Sequence, residues 1–305
     1  MKKLDRCLTK LFAGADPYIL EFNGRWYLYC TTENAKPLED ERSFNTDNEA
    51  EDGIFVYASY DLENWEKLGL CLNKKDVIGE KWFWAPEVIY HNGRFYMTYS
   101  AEEHIAVAVS DRPEGPFVQD EKKWLREGKA IDGDFLVDDD GSVWLYFAKL
   151  DGGNKIYVAK LSDDLLSIEK EYENCLIEPE MPWETVDSIV AEGPFALKHN
   201  GIYYLSYSAN HTRNENYAVG YAVSKSPTGP FVKYEGNPIL RKNGKIKGTG
   251  HHSLAKVADN EYICAFHCHS VYEDDPDNFK PRLVCLAPAK FEPTDGGPDV
   301  LKIEI

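Results

Sequence analysis

Three acidic residues and a histidine recur along this chain, each just ahead of a hairpin turn. They are Asp16 in Asp16-Pro17, Asp132 in Asp132-Gly133, Glu192 in Glu192-Gly193-Pro194 and His251 in His251-His252-Ser253, with Ala85-Pro86-Glu87 at a fifth such place. Asp132, Glu192 and His251 lie nine residues before their turn and Asp16 lies eight. A carboxyl kept protonated near one kept ionised is what general acid–base hydrolysis requires: one group gives a proton to the leaving oxygen and the other takes one from water. Acidic residues also sit at strand ends merely as turn formers. Recurrence at matching places argues against that for the set, because gathering like charges costs free energy that folds keep mainly where chemistry needs it.

The elements that must position these residues are strands. Period-2 patterning dominates, and one unit recurs: a short strand, a turn of Asn-Gly or Asp-Gly character, and an aromatic-rich strand. It is seen at Phe22 to Tyr29, His91 to Ser100, Asp139 to Ala148, His199 to Ser208 and, more weakly, Ala258 to His267. Asn-Gly and Asp-Gly favour tight hairpins because both central positions tolerate positive φ. A third strand is expected at Ile54 to Ser59, Ile105 to Ser110, Ile156 to Leu161 and Tyr217 to Ser224, and two of these lead into the similar turns Pro113 to Val118 and Pro227 to Val232. Five antiparallel units at intervals of roughly 50 to 70 residues predict an all-β five-bladed propeller, residues 1–305 forming one domain. A string of β-sandwich domains would need linkers, and no Ser/Gly/Pro-rich stretch supplies one. The polar segment Glu33 to Asp52 is expected as a loop inserted in the first blade. In a propeller the innermost strands surround a central channel, so the four polar residues are expected to converge on one mouth of it.

Composition narrows the partners. A formal net charge of −18 disfavours phosphate backbones and anionic lipid surfaces, so neither nucleic acid nor membrane is expected and a neutral ligand fits better. The 19 tyrosines and 7 tryptophans suit sugar stacking, although aromatics also fill β-sheets for structural reasons. No apolar run reaches membrane-spanning length, and Gly14, Asp16 and Pro17 break the apolar run that a signal peptide would need after Met1 to Lys10. The 7 cysteines are odd in number and scattered, which predicts reduced thiols and a cytoplasmic protein.

At these residues the chain resembles glycoside hydrolase family 43, five-bladed propellers that act on arabinose- and xylose-containing glycans with inversion. The resemblance runs from Asp16 to about Phe291. It is carried by ADPYIL at Ala15, WAPEVI at Trp84, IDGDFLVDDDG at Ile131, AEGPF at Ala191, GTGHHS at Gly248 and PRLVCLAPAKF at Pro281. It implies Asp16 as general base, Glu192 as general acid and Asp132 as the carboxylate that orients the acid and raises its pKa. It also implies Arg282 as a substrate contact, Trp84 as an aromatic wall of the pocket, and His251 as a ligand of a calcium ion at the channel centre, with water completing the shell. Gly133 departs from the family, where proline is common, and makes Asp134 a rival for the role given to Asp132. An inverting pair needs its carboxyls roughly 6.5 to 9.5 Å apart, a separation that different blades across a channel can supply.

The expected activity is exo-acting, inverting release of terminal α-L-arabinofuranosyl or β-D-xylosyl residues from neutral oligosaccharides. An arabinan- or galactan-directed glycosidase on the same scaffold and a non-catalytic sugar-binding propeller are the alternatives. Binding a neutral sugar needs no strained trio of carboxylates, which disfavours the latter. The family's frequent C-terminal β-sandwich is not expected, since the chain stops soon after the fifth blade. Cys264, His267, Cys268 and His269 form a run with zinc-like composition, but strand alternation sends the cysteines and histidines to opposite faces. Asn210-His211-Thr212 is a glycosylation sequon without consequence in an unsecreted protein.

Overall fold

A computed structural model describes residues 9–31, 53–150, 152–269 and 282–305; the loop expected at Glu33 to Asp52 lies outside the described residues. Alternation of apolar and polar residues, punctuated by the hairpin turns, yields five antiparallel sheets. After β1 (Thr9–Ala13), the first blade comprises β2 (Ala15–Phe22), β3 (Arg25–Thr31), β4 (Gly53–Ser59) and β5 (Glu66–Asn73). The second has three strands, β6 (Trp84–His91), β7 (Arg94–Ala101) and β8 (His104–Ser110). The third comprises β9 (Ala130–Val137), β10 (Val143–Leu150), β11 (Asn154–Leu161) and β12 (Ile168–Ile177). The fourth comprises β13 (Ala191–His199), β14 (Ile202–Ala209), β15 (Ala218–Ser224) and β16 (Val232–Lys233). The fifth comprises β17 (Gly250–Ala258), β18 (Glu261–His269) and β19 (Arg282–Glu292), with β20 (Val300–Ile303) on its outer edge.

The innermost strands β2, β6, β9, β13 and β17 contact one another in turn, and β17 meets β2 to close the circle. Each pair of neighbouring blades buries an apolar layer between them. Tyr29 and Met97 lie between blades one and two, Phe135 and Val107 between two and three, and Tyr146 and Leu205 between three and four. Phe266 and Tyr204 lie between four and five, Leu28 and Leu286 between five and one. Closure also uses the N-terminal strand, because β1 pairs with β19 at Leu283 to Leu286 while β20 takes Ala289 to Glu292 of the same edge. The fold is therefore the expected five-bladed propeller.

Among the described residues blade two has no fourth strand, and its edge is covered piecemeal. Val118 pairs with Val109, the Gln119 amide donates to the Val107 carbonyl at 3.0 Å, and Leu125 N–H donates to the Ile105 carbonyl at 2.8 Å. These contacts satisfy a strand edge that would otherwise invite pairing with another chain. The two similar turns clamp neighbouring blades alike. The Tyr29 hydroxyl donates to the Pro113 carbonyl at 2.6 Å, and the Tyr146 hydroxyl to the Pro227 carbonyl at 2.7 Å.

Candidate active site

Every innermost strand carries the same irregularity. Pairing slips by one residue between Ala15 and Tyr18, Trp84 and Glu87, Ile131 and Asp134, Glu192 and Phe195, and Gly250 and Ser253. At each bulge one residue turns left-handed: Asp16 (φ 50°), Ala85 (φ 45°), Asp132 (φ 59°), Gly193 (φ 52°) and His251 (φ 45°). Left-handed backbone is costly for residues with a Cβ, of order 1–3 kcal/mol each, and bulges next to active sites re-aim side chains. Asp16, Asp132 and His251 are thus equivalent and Glu192 is offset by one. Counting back from the turns misplaces it, because the hairpin of blade three is longer and β17 carries a second slip between Lys256 and Ala258. At Gly193 a Cβ would come within 3.0 Å of the His251 ring, so glycine there is a packing requirement.

The bulges are tied together blade to blade. The N–H of Ala85 donates to Thr31 Oγ1 (2.7 Å), that of Asp132 to Ser100 Oγ (3.0 Å), that of His251 to Ser208 Oγ (2.7 Å) and that of Asp16 to His267 Nδ1 (3.2 Å). Thr31, Ser100, Ser208 and His267 occupy one equivalent position, each facing the residue just before the bulge of its own blade. In blade three that position is Ala148, which has no acceptor to offer. There the Gly193 N–H donates instead to Asp132 Oδ2 at 2.9 Å. Asp132 therefore completes the ring and is held beside the residue that follows Glu192 in the chain.

The structure gathers Asp16, Asp132, Glu192, His251 and Arg282. Asp16 is buried; its Oδ2 accepts from Thr31 Oγ1 at 2.6 Å and its Oδ1 from Arg282 Nη1 at 3.0 Å, with His251 Nδ1 at 3.3 Å and His267 Nδ1 at 3.2 Å. Burial alone would raise its pKa, but Arg282, then His251 and His267, outweigh burial and hold it well below the usual carboxylate range. Glu192 is partly exposed; its Oε1 accepts from the Tyr217 hydroxyl at 3.0 Å and its Oε2 from the Asn154 amide at 2.9 Å. Burial and the Asp16 charge raise it, the two hydrogen bonds and Arg282 lower it, and the outcome is a pKa of about 7. Asp132 is pushed well above its ordinary value by burial, then by the charges of Glu192 and Asp16. Asp132 and Glu192 repel each other, so the pair retains a proton near neutrality. The expectation that Asp132 raises Glu192 changes accordingly: burial comes first, and the carboxylate firmly ionised nearby is Asp16.

Asp134, the rival to Asp132, sits elsewhere. Its Oδ2 accepts the Ala196 N–H at 2.6 Å, and it lies beside Glu87, whose Oε2 is buried with no hydrogen-bond partner among the described residues. Burial lifts Glu87 well above its ordinary value and Asp134 to about 7. These two acids staple β6, β9 and β13 behind the bulges; the Gly193 N–H goes to Asp132.

Trp84 is partly exposed and stacks on Trp82 (5.7 Å between centroids, 11° between planes). The next residue, Ala85, donates its N–H to the same Thr31 hydroxyl that donates to Asp16. Arg282, expected against substrate, divides Nη1 between Asp16 and Thr212 Oγ1 (3.2 Å). Sequence reasoning missed Thr31, Asn154, Tyr217 and the role of His267. Tyr217 and His267 stack with planes 5° apart, so one stacked pair holds Glu192 on one side and Asp16 on the other. Burial lowers His267 to a pKa of about 3, which keeps it neutral.

His251 offers calcium one nitrogen. The nearest oxygens, on Asp16 and Asp132, already hold Arg282 and the Gly193 N–H, and among the described residues no three His, Cys, Asp or Glu side chains gather where a metal could sit. Calcium takes six to eight oxygens. The protein groups do not form such a cage.

A five-bladed propeller with an ionised aspartate and a carboxyl poised near neutrality at one mouth of its channel has the equipment of an acid–base hydrolase. The chain belongs to glycosyl hydrolases family 43, whose model matches residues 13–298, and it is accordingly a glycoside hydrolase. A solved structure described as an endo-1,4-β-xylanase from Bacteroides thetaiotaomicron is 40% identical, with TM-score 0.83 and 96% of each chain covered. Xylosidase/arabinosidase 43A of Humicola insolens is 30% identical over 86% of this chain and 89% of its own. A β-D-galactofuranosidase of Aspergillus niger is 28% identical over 89% of this chain and 78% of its own.

Proposed function

We propose that the protein is an exo-acting, inverting glycosidase that releases terminal α-L-arabinofuranosyl or β-D-xylosyl residues from neutral oligosaccharides. The observation that carries this reading is the divergence of two carboxyls: Asp16 held ionised chiefly by Arg282, Glu192 raised to about 7. Asp16 takes a proton from water as the water oxygen attacks the anomeric carbon. The bond from that carbon to the leaving oxygen breaks, and Glu192 gives its proton to that oxygen. Asp132, fixed by the Gly193 N–H, orients the acid and shares its proton with it. Trp84 supplies a wall beside the base, and Arg282 keeps Asp16 ionised where it meets substrate.

Names among the relatives support pentose substrates but range over xylosidase, arabinosidase, galactofuranosidase and endo-xylanase. A panel of nitrophenyl pentosides and galactofuranosides, with product anomer followed by NMR, tests sugar and stereochemistry together. Endo-cleavage of xylan without release of monosaccharide would refute the exo reading. Loss of nitrophenol release in Glu192→Ala separates catalysis from mere binding. The calcium of the family resemblance reduces to a proposal of an ion held by His251 and water, tested by melting with and without chelator; an unchanged Tm overturns it. The cytoplasmic reading rests on the odd number and scattered placement of the 7 cysteines, and disulfides in protein isolated from its native source would overturn it.

A further inference from the structure

Asp16 lies near the start of β2, and Phe22 at its end lines a cleft of about 400 Å³ between blades one and two. Six strand residues separate them by roughly 20 Å. The cleft therefore opens at the hairpin-turn face of the propeller, opposite the acid–base pair. Its volume lies within the roughly 300–1,000 Å³ of small-molecule sites.

Its lining is unusual for this protein. Among the described residues, the exposed large apolar side chains include two aromatic rings, Tyr60 at 73% and Tyr90 at 48% exposure, and both flank this cleft. Each is braced on one side. The Arg25 guanidinium lies 5.0 Å from the Tyr60 ring centre, while Tyr90 packs on Phe22 (4.9 Å) and Phe95 (4.8 Å). A braced ring loses little freedom when a ligand stacks on its open face. Planar polar groups stand beside the rings. Asp111, Arg112 and Glu114 line the cleft with Arg25, whose buried Nε–H has no acceptor among the described residues. The charges cancel locally, since Arg25 pairs with Glu66 at 3.3 Å, Asp111 with Arg94 at 3.0 Å and Arg112 with Glu114 at 3.9 Å.

Open aromatic faces, planar hydrogen-bonding groups and no net local charge match the chemistry of a neutral sugar ring. We propose that this cleft is a second glycan-binding site, which holds a pentose-containing polysaccharide chain away from the catalytic mouth. The inference rests on the glycan substrate class proposed above. Such a site adds binding for a polymer that reaches both faces and nothing for a short glycoside.

The test compares Glu192→Gln with Glu192→Gln carrying Tyr60→Ala and Tyr90→Ala, by affinity electrophoresis in soluble arabinoxylan. Loss of the two rings is expected to weaken polymer binding about tenfold. In the active protein the same two substitutions should raise KM for arabinoxylan several-fold, while kcat/KM on a nitrophenyl pentoside, measured well below the melting temperature of both proteins, stays unchanged. Equal polymer binding by both proteins overturns the inference. So does a change of oligomeric state with glycan binding intact, which would assign the cleft to a protein contact. Absence of turnover on every glycoside of the panel would instead refute the substrate class, a result readable without the cleft variants.

Discussion

Replacing Tyr217 with phenylalanine removes one hydrogen bond from Glu192 and a contact to Ser208, while the ring can keep its stack on His267. The hydroxyl donates to Glu192 Oε1 at 3.0 Å and so favours the ionised carboxyl over the protonated one. A hydrogen bond to a charged group contributes about 1.5–3 kcal/mol, and about 1.4 kcal/mol corresponds to one pKa unit. Full loss would thus raise Glu192 by one to two units. Glu192 is partly exposed, so water recovers part of the interaction, and a rise of about one unit is expected. The alkaline limb of kcat/KM reports the acid in the free enzyme and should move from about 7 to about 8. The plateau should fall a few-fold, since a weaker and more loosely held acid protonates the leaving group less well. A dinitrophenyl pentoside, which departs with little protonation, should show neither effect. If the alkaline limb of Tyr217→Phe stays in place or moves down on a nitrophenyl substrate, the limb does not report Glu192 and the acid has been misassigned.

Asp16→Asn should lower kcat by about 10³-fold or more on good and poor leaving groups alike while the protein still folds, because water has lost its base; activity within tenfold of wild type refutes that role. Asp132→Asn should be impaired chiefly on substrates that need acid assistance, whereas Asp134→Asn, whose side chain faces Glu87 and Ala196, should alter melting more than leaving-group dependence. The reverse pattern would transfer the orienting role to Asp134. The Glu87 and Asp134 pair also predicts a pH-dependent stability. Both are acids raised above their unfolded values, so the folded state binds more protons than the unfolded one, and stability falls as pH climbs from the ordinary carboxylate range through about 7. Glu87→Gln should flatten the Tm profile between pH 6 and 8, and an unchanged slope would mean the pair is not the source.

Much of this was legible from residues alone, and the boundary is physical. Hairpin turns such as Asn92-Gly93 and Asn200-Gly201 mark blades because positive φ is a local demand that local sequence must meet. Asp16 and Asp132 stood out because an acidic residue recurs at a matching distance ahead of a hairpin turn. Glu192 was found although its register was not, since slips in distant hairpins do not show in residue counts. Thr31, Ser100 and Ser208 are ordinary strand residues whose meaning comes from a neighbouring blade. Tyr217 and Asn154 reach the acid from other strands and loops, and nothing in their own surroundings announces it. That β1 belongs to the last blade was equally hidden, because alternation sets the faces of a strand and leaves its partner open.

The placement of β1 makes the order of synthesis matter. Thr9 to Ala13 leaves the ribosome early, yet its hydrogen-bonding edge has no partner until Arg282 to Glu292 has been made. Blades two to four rest on short-range hairpins and can form as they emerge, while the pairing that closes the circle spans nearly the whole chain and carries the largest loop-closure entropy. The same late segments bring His267 and Arg282 to Asp16. Before they arrive, Asp16 lacks both the guanidinium that favours its ionised form and the ring that accepts its backbone N–H, so the surroundings of this carboxyl are completed only by the last strands.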